Sequence, residues 1–186
     1  MLCFVNTWET EQAARIGAEV QRLRKGLKRS AQWLSERTEE LGLKMTRQAI
    51  TDLENGRRRY VTTAELVILA VALDTAPVAL VYPGPYRDRI DLVPGVERPK
   101  LVAAEWFSGN VDWRLEGSAG LSDEELEASN RSEENTHQLY LERQLFDLLR
   151  NARLVRERGE FEKDRELIEY YDKRIREIQK ELGVEE

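Results

Sequence analysis

The segment TRQAITDLENGRRRY, residues 46 to 60, concentrates side chains that could read and grip a polyanion. On a helical projection Ala49, Ile50 and Leu53 fall on one side, while Gln48, Thr51 and Asn55 centre the other, flanked by Arg47 and Asp52. Such an edge suits base pairs in a major groove: a Gln amide bonds adenine N6 and N7 together, a guanidinium bonds guanine O6 and N7, and a carboxylate accepts from cytosine N4. Arg57, Arg58 and Arg59 leave the far end, where phosphates lie when a helix is seated in the groove; such contacts add affinity and salt dependence without sequence information. An isolated arginine triplet is most often a solvated charge run. Its place after a capped polar helix, with more basic residues upstream, favours phosphate contact.

These residues need a scaffold, and residues 8 to 81 read as five short helices. Ala13, Ile16, Val20 and Leu23 recur at helical spacing in the first, and Arg22, Arg24, Lys25, Lys28 and Arg29 gather toward its end. Ser30 caps a second helix with Trp33, Leu34 and Leu41 facing inward, broken at Gly42. Thr46 caps the third, which stops at Asn55-Gly56. Thr62 or Thr63 caps a fourth, TTAELVILAVALD, apolar nearly all round and therefore expected to be buried. Pro77 opens a short fifth, PVALVY.

Residues 82 to 131 form a connector of mixed character. RIDLV is expected as a short strand, RPKLVAAEWFSG as a helix opened by Pro99, and VDWRL as another strand-like piece; Trp106, Phe107 and Trp113 imply that the segment docks on something. Residues 132 to 184 are predicted to be helical and highly charged. Leu141, Leu145, Leu148, Ala152 and Val155 make one apolar seam, and Ile168, Tyr171, Ile175, Ile178 and Leu182 a second, out of phase with the first. A hairpin broken at Gly159 follows, able to dimerise or to bind a partner protein.

The charge is segregated in the same way. From Arg15 to Tyr60 there are twelve Lys or Arg against six Asp or Glu, a balance of +6; from Val61 to the end the balance is -10, within a formal net charge of -6. A basic module therefore precedes an acidic one, which suits a nucleic-acid partner for the first and protein contacts for the second. No apolar run approaches the roughly 18 residues that cross a membrane, and the start has no basic leader, so a cytoplasmic protein is expected. Cys3 is the only cysteine and reads as an incidental thiol. His137, expected near a helix start, reads as a surface residue. No metal-ligand spacing, phosphate loop or nucleophile-base arrangement is present, so neither cofactor nor metal is implied and the chain is not expected to be an enzyme.

T-R-Q-A-I-T-D-L-E-N-G-R, with I-G-x-x-V-x-x-L-R-K before it and A-E-L-V-I-L-A-V-A-L after it, resembles the helix-turn-helix of the lambdoid phage repressor and Cro proteins, the XRE family, over roughly residues 15 to 81. Its lengthened version resembles repressors of actinobacterial phages and prophages. The resemblance implies a mainly α fold with a five-helix lambda-repressor-like domain binding double-stranded DNA. It implies base reading by Thr46, Arg47, Gln48, Thr51 and Asp52, a phosphate contact at Asn55, and an Arg24–Glu54 pair that also helps hold a phosphate. Two departures stand out. Ala31 replaces the usual phosphate-touching Gln, leaving Gln32 or Ser30 to substitute, and the connection ERTEELGLKM is about five residues longer than the usual turn of three or four, with Lys44 near the backbone. Lys28 and Arg29 complete the expected phosphate set.

The expected function is transcriptional repression by operator occupancy, as in phage immunity, with a homodimer on an inverted repeat. The alternatives are an antitoxin that autoregulates its promoter and an assembly protein whose helical hairpin is the active part. Repressors of this kind often carry a self-cleaving Ser-Lys domain. Here Ser118, Ser122, Ser129 and Ser132 all lie in the polar approach to a helical region, and self-cleavage is not expected.

Overall fold

A computed structural model describes residues 7–115, 120–159 and 162–184; Cys3 and Ser118 lie outside these. The chain is mainly helical. It divides into two compact units, Met1–Glu116 and Gly117–Glu186.

The first unit begins with α1 (Trp8–Gly26), α2 (Ala31–Glu40), α3 (Arg47–Glu54), α4 (Thr63–Ala72) and α5 (Pro77–Val81). Ile16, Val20, Leu34, Ile50, Leu53, Leu69 and Leu80 meet in one core, most of them with no exposed surface. Ser30, Thr46 and Thr62 cap α2, α3 and α4 by accepting the Trp33, Ala49 and Glu65 amides, contributions of about 1 kcal/mol each. The expectation that α4 is buried all round is corrected: Val67 and Val71, one turn apart, are about half exposed, because only its Leu66, Leu69 and Ala70 side meets the core.

The long connection before Thr46 is also corrected, since its first half is helix. ERTEE prolongs α2 to Glu40, and Gly42 (φ +94) ends it with the Gly42 amide on the Glu39 carbonyl and the Leu43 amide on that of Thr38. That paired stop requires a left-handed residue, which glycine adopts without a side-chain clash. Only Leu41 to Met45 separate α2 from Thr46.

Residues 82 to 115 belong to the same unit. β1 (Arg89–Val93) and β2 (Val96–Pro99) pair antiparallel, with Arg89 opposite Pro99 and a register shift between Asp91 and Val93. Then comes α6 (Lys100–Phe107), with Pro99 as its N-cap. The strand at VERP was unforeseen, and VDWRL is not a strand: Trp113–Leu115 form a 3-10 turn. Ile90, Leu92, Ala103 and Ala104 join the α1–α5 core, with Trp106 and Trp113 packed against it. The aromatic segment thus docks on the helices that precede it. Trp8 Nε1 donates to the Asp91 carbonyl at 3.0 Å, and Arg15 Nε to that of Val81 at 2.9 Å, tying α1 to β1 and to the end of α5.

The second unit holds α7 (Asp123–Arg158) and α8 (Arg165–Leu182). α7 starts nine residues before the expected onset at 132, because Ser122 and Glu125 form a reciprocal capping box. The helices pack antiparallel: Arg156 meets Asp172, and His137, well inside α7, meets Glu181 at 2.9 Å. Leu141, Leu145, Ala152, Ile175 and Ile178 are buried between them, with Leu148, Tyr171 and Leu182 alongside. Gly159 ends α7 in the left-handed region, where the break between the two seams predicts it.

Candidate nucleic-acid interface

Three supports fix α3. Its Ile50 and Leu53 are fully buried. Behind them α1 approaches so closely that a Cβ on Gly17 would lie 2.0 Å from the Leu53 carbonyl oxygen. At the C-terminal end Arg24 donates through Nε and Nη2 to both carboxylate oxygens of Glu54, each at 2.6 Å, and through Nη1 to the Arg29 carbonyl, also at 2.6 Å. These side chains are 10% and 5% exposed, so this is no ordinary surface pair. At the N-terminal end Thr38, wholly buried, donates its hydroxyl to Ser35 O and accepts the Met45 amide at 3.1 Å, pinning the chain one residue before the Thr46 cap. Asn55 and Gly56 then stop α3: Gly56 (φ +65) and Arg57 donate amides to the carbonyls of Leu53 and Asp52.

The opposite edge is polar and outward. Arg47 and Gln48 are exposed at the first turn, and Arg47 makes no side-chain hydrogen bond or ion pair among the described residues. Gln48 Nε2 donates to Asp52 Oδ1 at 3.0 Å, which leaves its amide oxygen and second N–H directed elsewhere. Asp52 also faces Arg57 at 3.4 Å. Thr51 is turned back on the helix, its hydroxyl donating to the Arg47 carbonyl at 2.8 Å. Thr46 is exposed, but its hydroxyl serves as the cap.

The basic residues divide into free and engaged. Arg57 is 67% exposed and only loosely paired. Arg59 is equally exposed but bonds Glu9 at the start of α1 at 2.6 Å. Arg58 differs from the sequence expectation: it grips both oxygens of Glu65 at 2.7 and 3.0 Å with 21% of its side chain exposed, which makes it a brace between the α3 exit and the α4 capping box. Burial pushes the Glu65 carboxyl up, but hydrogen bonds from Arg58 and Thr62 outweigh this and hold it below the usual range. Arg24 likewise stands as a brace, its guanidinium taken by Glu54 and Arg29 rather than turned to solvent. Lys44 pairs with Glu39 at the surface, Gln32 with Glu36, and Arg29 lies over the Trp33 ring at 5.3 Å. Lys28 is exposed at the end of α1 in the left-handed region (φ 55), a conformation that costs a non-glycine roughly 1–2 kcal/mol. Asn55 is exposed beside the arginines, and Ser30 is committed to capping α2.

Sequence reasoning missed Thr38, Arg15 and Trp8. Thr38 sits in a polar run whose register toward α3 depends on where α2 ends, and Arg15 and Trp8 act through carbonyls more than sixty residues away. Gly17 was legible only as a letter in a motif; its packing role needs α3 in place.

No family model matches the chain, and no curated protein or solved structure matches it. Among the described residues no group of three or more His, Cys, Asp or Glu is placed to hold a metal ion, and no helix is long and apolar enough to cross a membrane.

Proposed function

We propose that the first unit is a sequence-specific binder of double-stranded DNA, with α1–α5 as a lambda-repressor-like helix-turn-helix domain and the chain acting as a transcriptional repressor by operator occupancy. The observation that carries this reading is the outer edge of α3. A short helix braced from behind by Gly17 and at its end by the Arg24–Glu54 pair presents an uncommitted Arg47 and a half-committed Gln48 at its first turn. Arg47 suits guanine and Gln48 suits adenine. Lys28 just past the end of α1, with Asn55, Arg57 and Arg59 at the C-terminal end of α3, supply the phosphate grip, with Lys44 and Arg29 at the margin. Arg24 and Arg58 act indirectly by holding α3.

The test is selection of bound duplexes from a random pool, followed by footprinting on the DNA flanking the gene. A recovered consensus that Arg47→Ala and Gln48→Ala abolish supports the reading. Binding with no sequence preference, or enrichment unchanged by those substitutions, sinks it.

A further inference from the structure

α7 exposes two apolar residues, Leu139 and Phe146, on a face that α8 does not cover. Relative to the buried seam of Leu141, Leu145, Ala152 and Val155, the residues Leu139 and Phe146 project from the opposite side of the helix. They are 46% and 66% exposed, the latter an unusual position for a phenylalanine. On the same face toward the N-terminus stand Glu125, Ala128, Ser132 and Asn135, none of them large and apolar. The charge of α7 is also polarised. Residues 123 to 140 hold six acids and one base, whereas residues 141 to 158 hold three acids and five arginines.

We propose that two copies of this chain pair antiparallel through this outer face of α7, about a two-fold axis at Leu139. Leu139 lies within two residues of the middle of α7, so the axis there overlaps the helices almost end to end. Leu139 meets its own copy, Phe146 of each chain lies over Ser132 of the other, and Arg150 and Arg153 lie over the partner turn that holds Ala128 and Glu125. Large residues face small ones twice, as a closed two-fold interface requires. The basic half of each helix meets the acidic half of the other. A parallel arrangement would set six acids against six and leave Ser132 opposite Ser132, which is why the antiparallel one is favoured. α8 of each chain stays on the far side, leaving the hairpin intact. The N-termini of the two α7 helices, from which the first units depart, are then about 48 Å apart at 1.5 Å per residue.

The inference does not rest on the DNA reading, and its test uses no DNA. The full chain should scatter as a dimer, at twice the 21.6 kDa chain mass. Phe146→Glu and Leu139→Lys should each halve that mass with helical circular dichroism unchanged. In a Cys3→Ser background, Asn135→Cys together with Arg143→Cys should form a covalent dimer on mild oxidation, because these positions oppose one another across the axis. Asn135→Cys alone should not. A monomeric full chain, a Phe146→Glu variant that remains dimeric, or cross-linking by Asn135→Cys alone would overturn the proposal. Should Phe146→Glu unfold, the cysteine pair decides.

Discussion

Gly17 of α1 and the carbonyl of Leu53 in α3 are in backbone contact: a methyl group on Gly17 would sit 2.0 Å from that oxygen. Backbone cannot give way as a flexible side chain does, so Gly17→Ala must push α3 off α1. The expected cost is about 1–3 kcal/mol, as for other overpacking changes, read as a lowered urea midpoint. Gly26→Ala is the control. Nothing lies within 4 Å of its Cβ position, and its φ is ordinary, so that change should leave the midpoint unchanged or raise it by up to about 1 kcal/mol through helix propensity. Equal effects from the two alanines would refute the close-approach argument.

Glu54→Ala should cost roughly 3–5 kcal/mol, because it strands the guanidinium of Arg24, 10% exposed, without its carboxylate. An exposed pair would give at most about 1 kcal/mol, so denaturation of this variant separates the two readings. Arg24→Ala with Glu54→Ala should cost less than the sum of the singles, since removing both partners leaves no stranded charge.

The helices and their caps were legible because each carries a local signal: Ser30, Thr46, Thr62 and Pro77 stand where the structure begins α2 to α5. The seams of α7 and α8 were legible from period alone. What stayed hidden depends on distant partners. Arg57, Arg58 and Arg59 are identical in sequence, yet Glu65 takes Arg58, Glu9 takes Arg59, and Arg57 is left with a weak contact to Asp52. The connection before Thr46 looked like a long loop because Gly42 is a stop signal whose reach backward depends on how far ERTEE keeps α2 going. VERP was missed because a four-residue strand containing a proline shows no alternation of its own.

Acid should weaken the first unit through Glu65. Its folded value lies below the ordinary carboxylate range through Arg58 and Thr62, so its contribution is present in full above the unfolded value of about 4.3 and is lost as pH falls through the folded value. Glu65→Gln keeps a capping-box partner for Thr62 but loses the charge. It should therefore lower the urea midpoint at neutral pH and show a smaller further drop on acidification. A variant whose stability falls with acid as steeply as wild type would show that Glu65 is not the group responsible.

The arginine triplet gives the sharpest separation of roles. Arg57→Ala should weaken binding to all sequences alike and reduce the slope of log K against log salt by about 1, with stability within about 0.5 kcal/mol of wild type, because its side chain is 67% exposed. Arg59→Ala should behave similarly, softened where Glu9 competes with the phosphate. Arg58→Ala should do the reverse. It releases Glu65 from a two-point pair and lowers the melting midpoint, while the salt slope stays nearly as it was. Arg47→Ala differs from all three under the proposed function, where loss of a base contact from the first turn of α3 should cost roughly 1–3 kcal/mol on the preferred sequence and little on random DNA. Titrations of the four variants on specific and nonspecific duplexes at several salt concentrations read these outcomes together. A salt slope that falls most for Arg58→Ala would mean that Glu65 yields its partner to DNA, and the brace assigned here would be wrong.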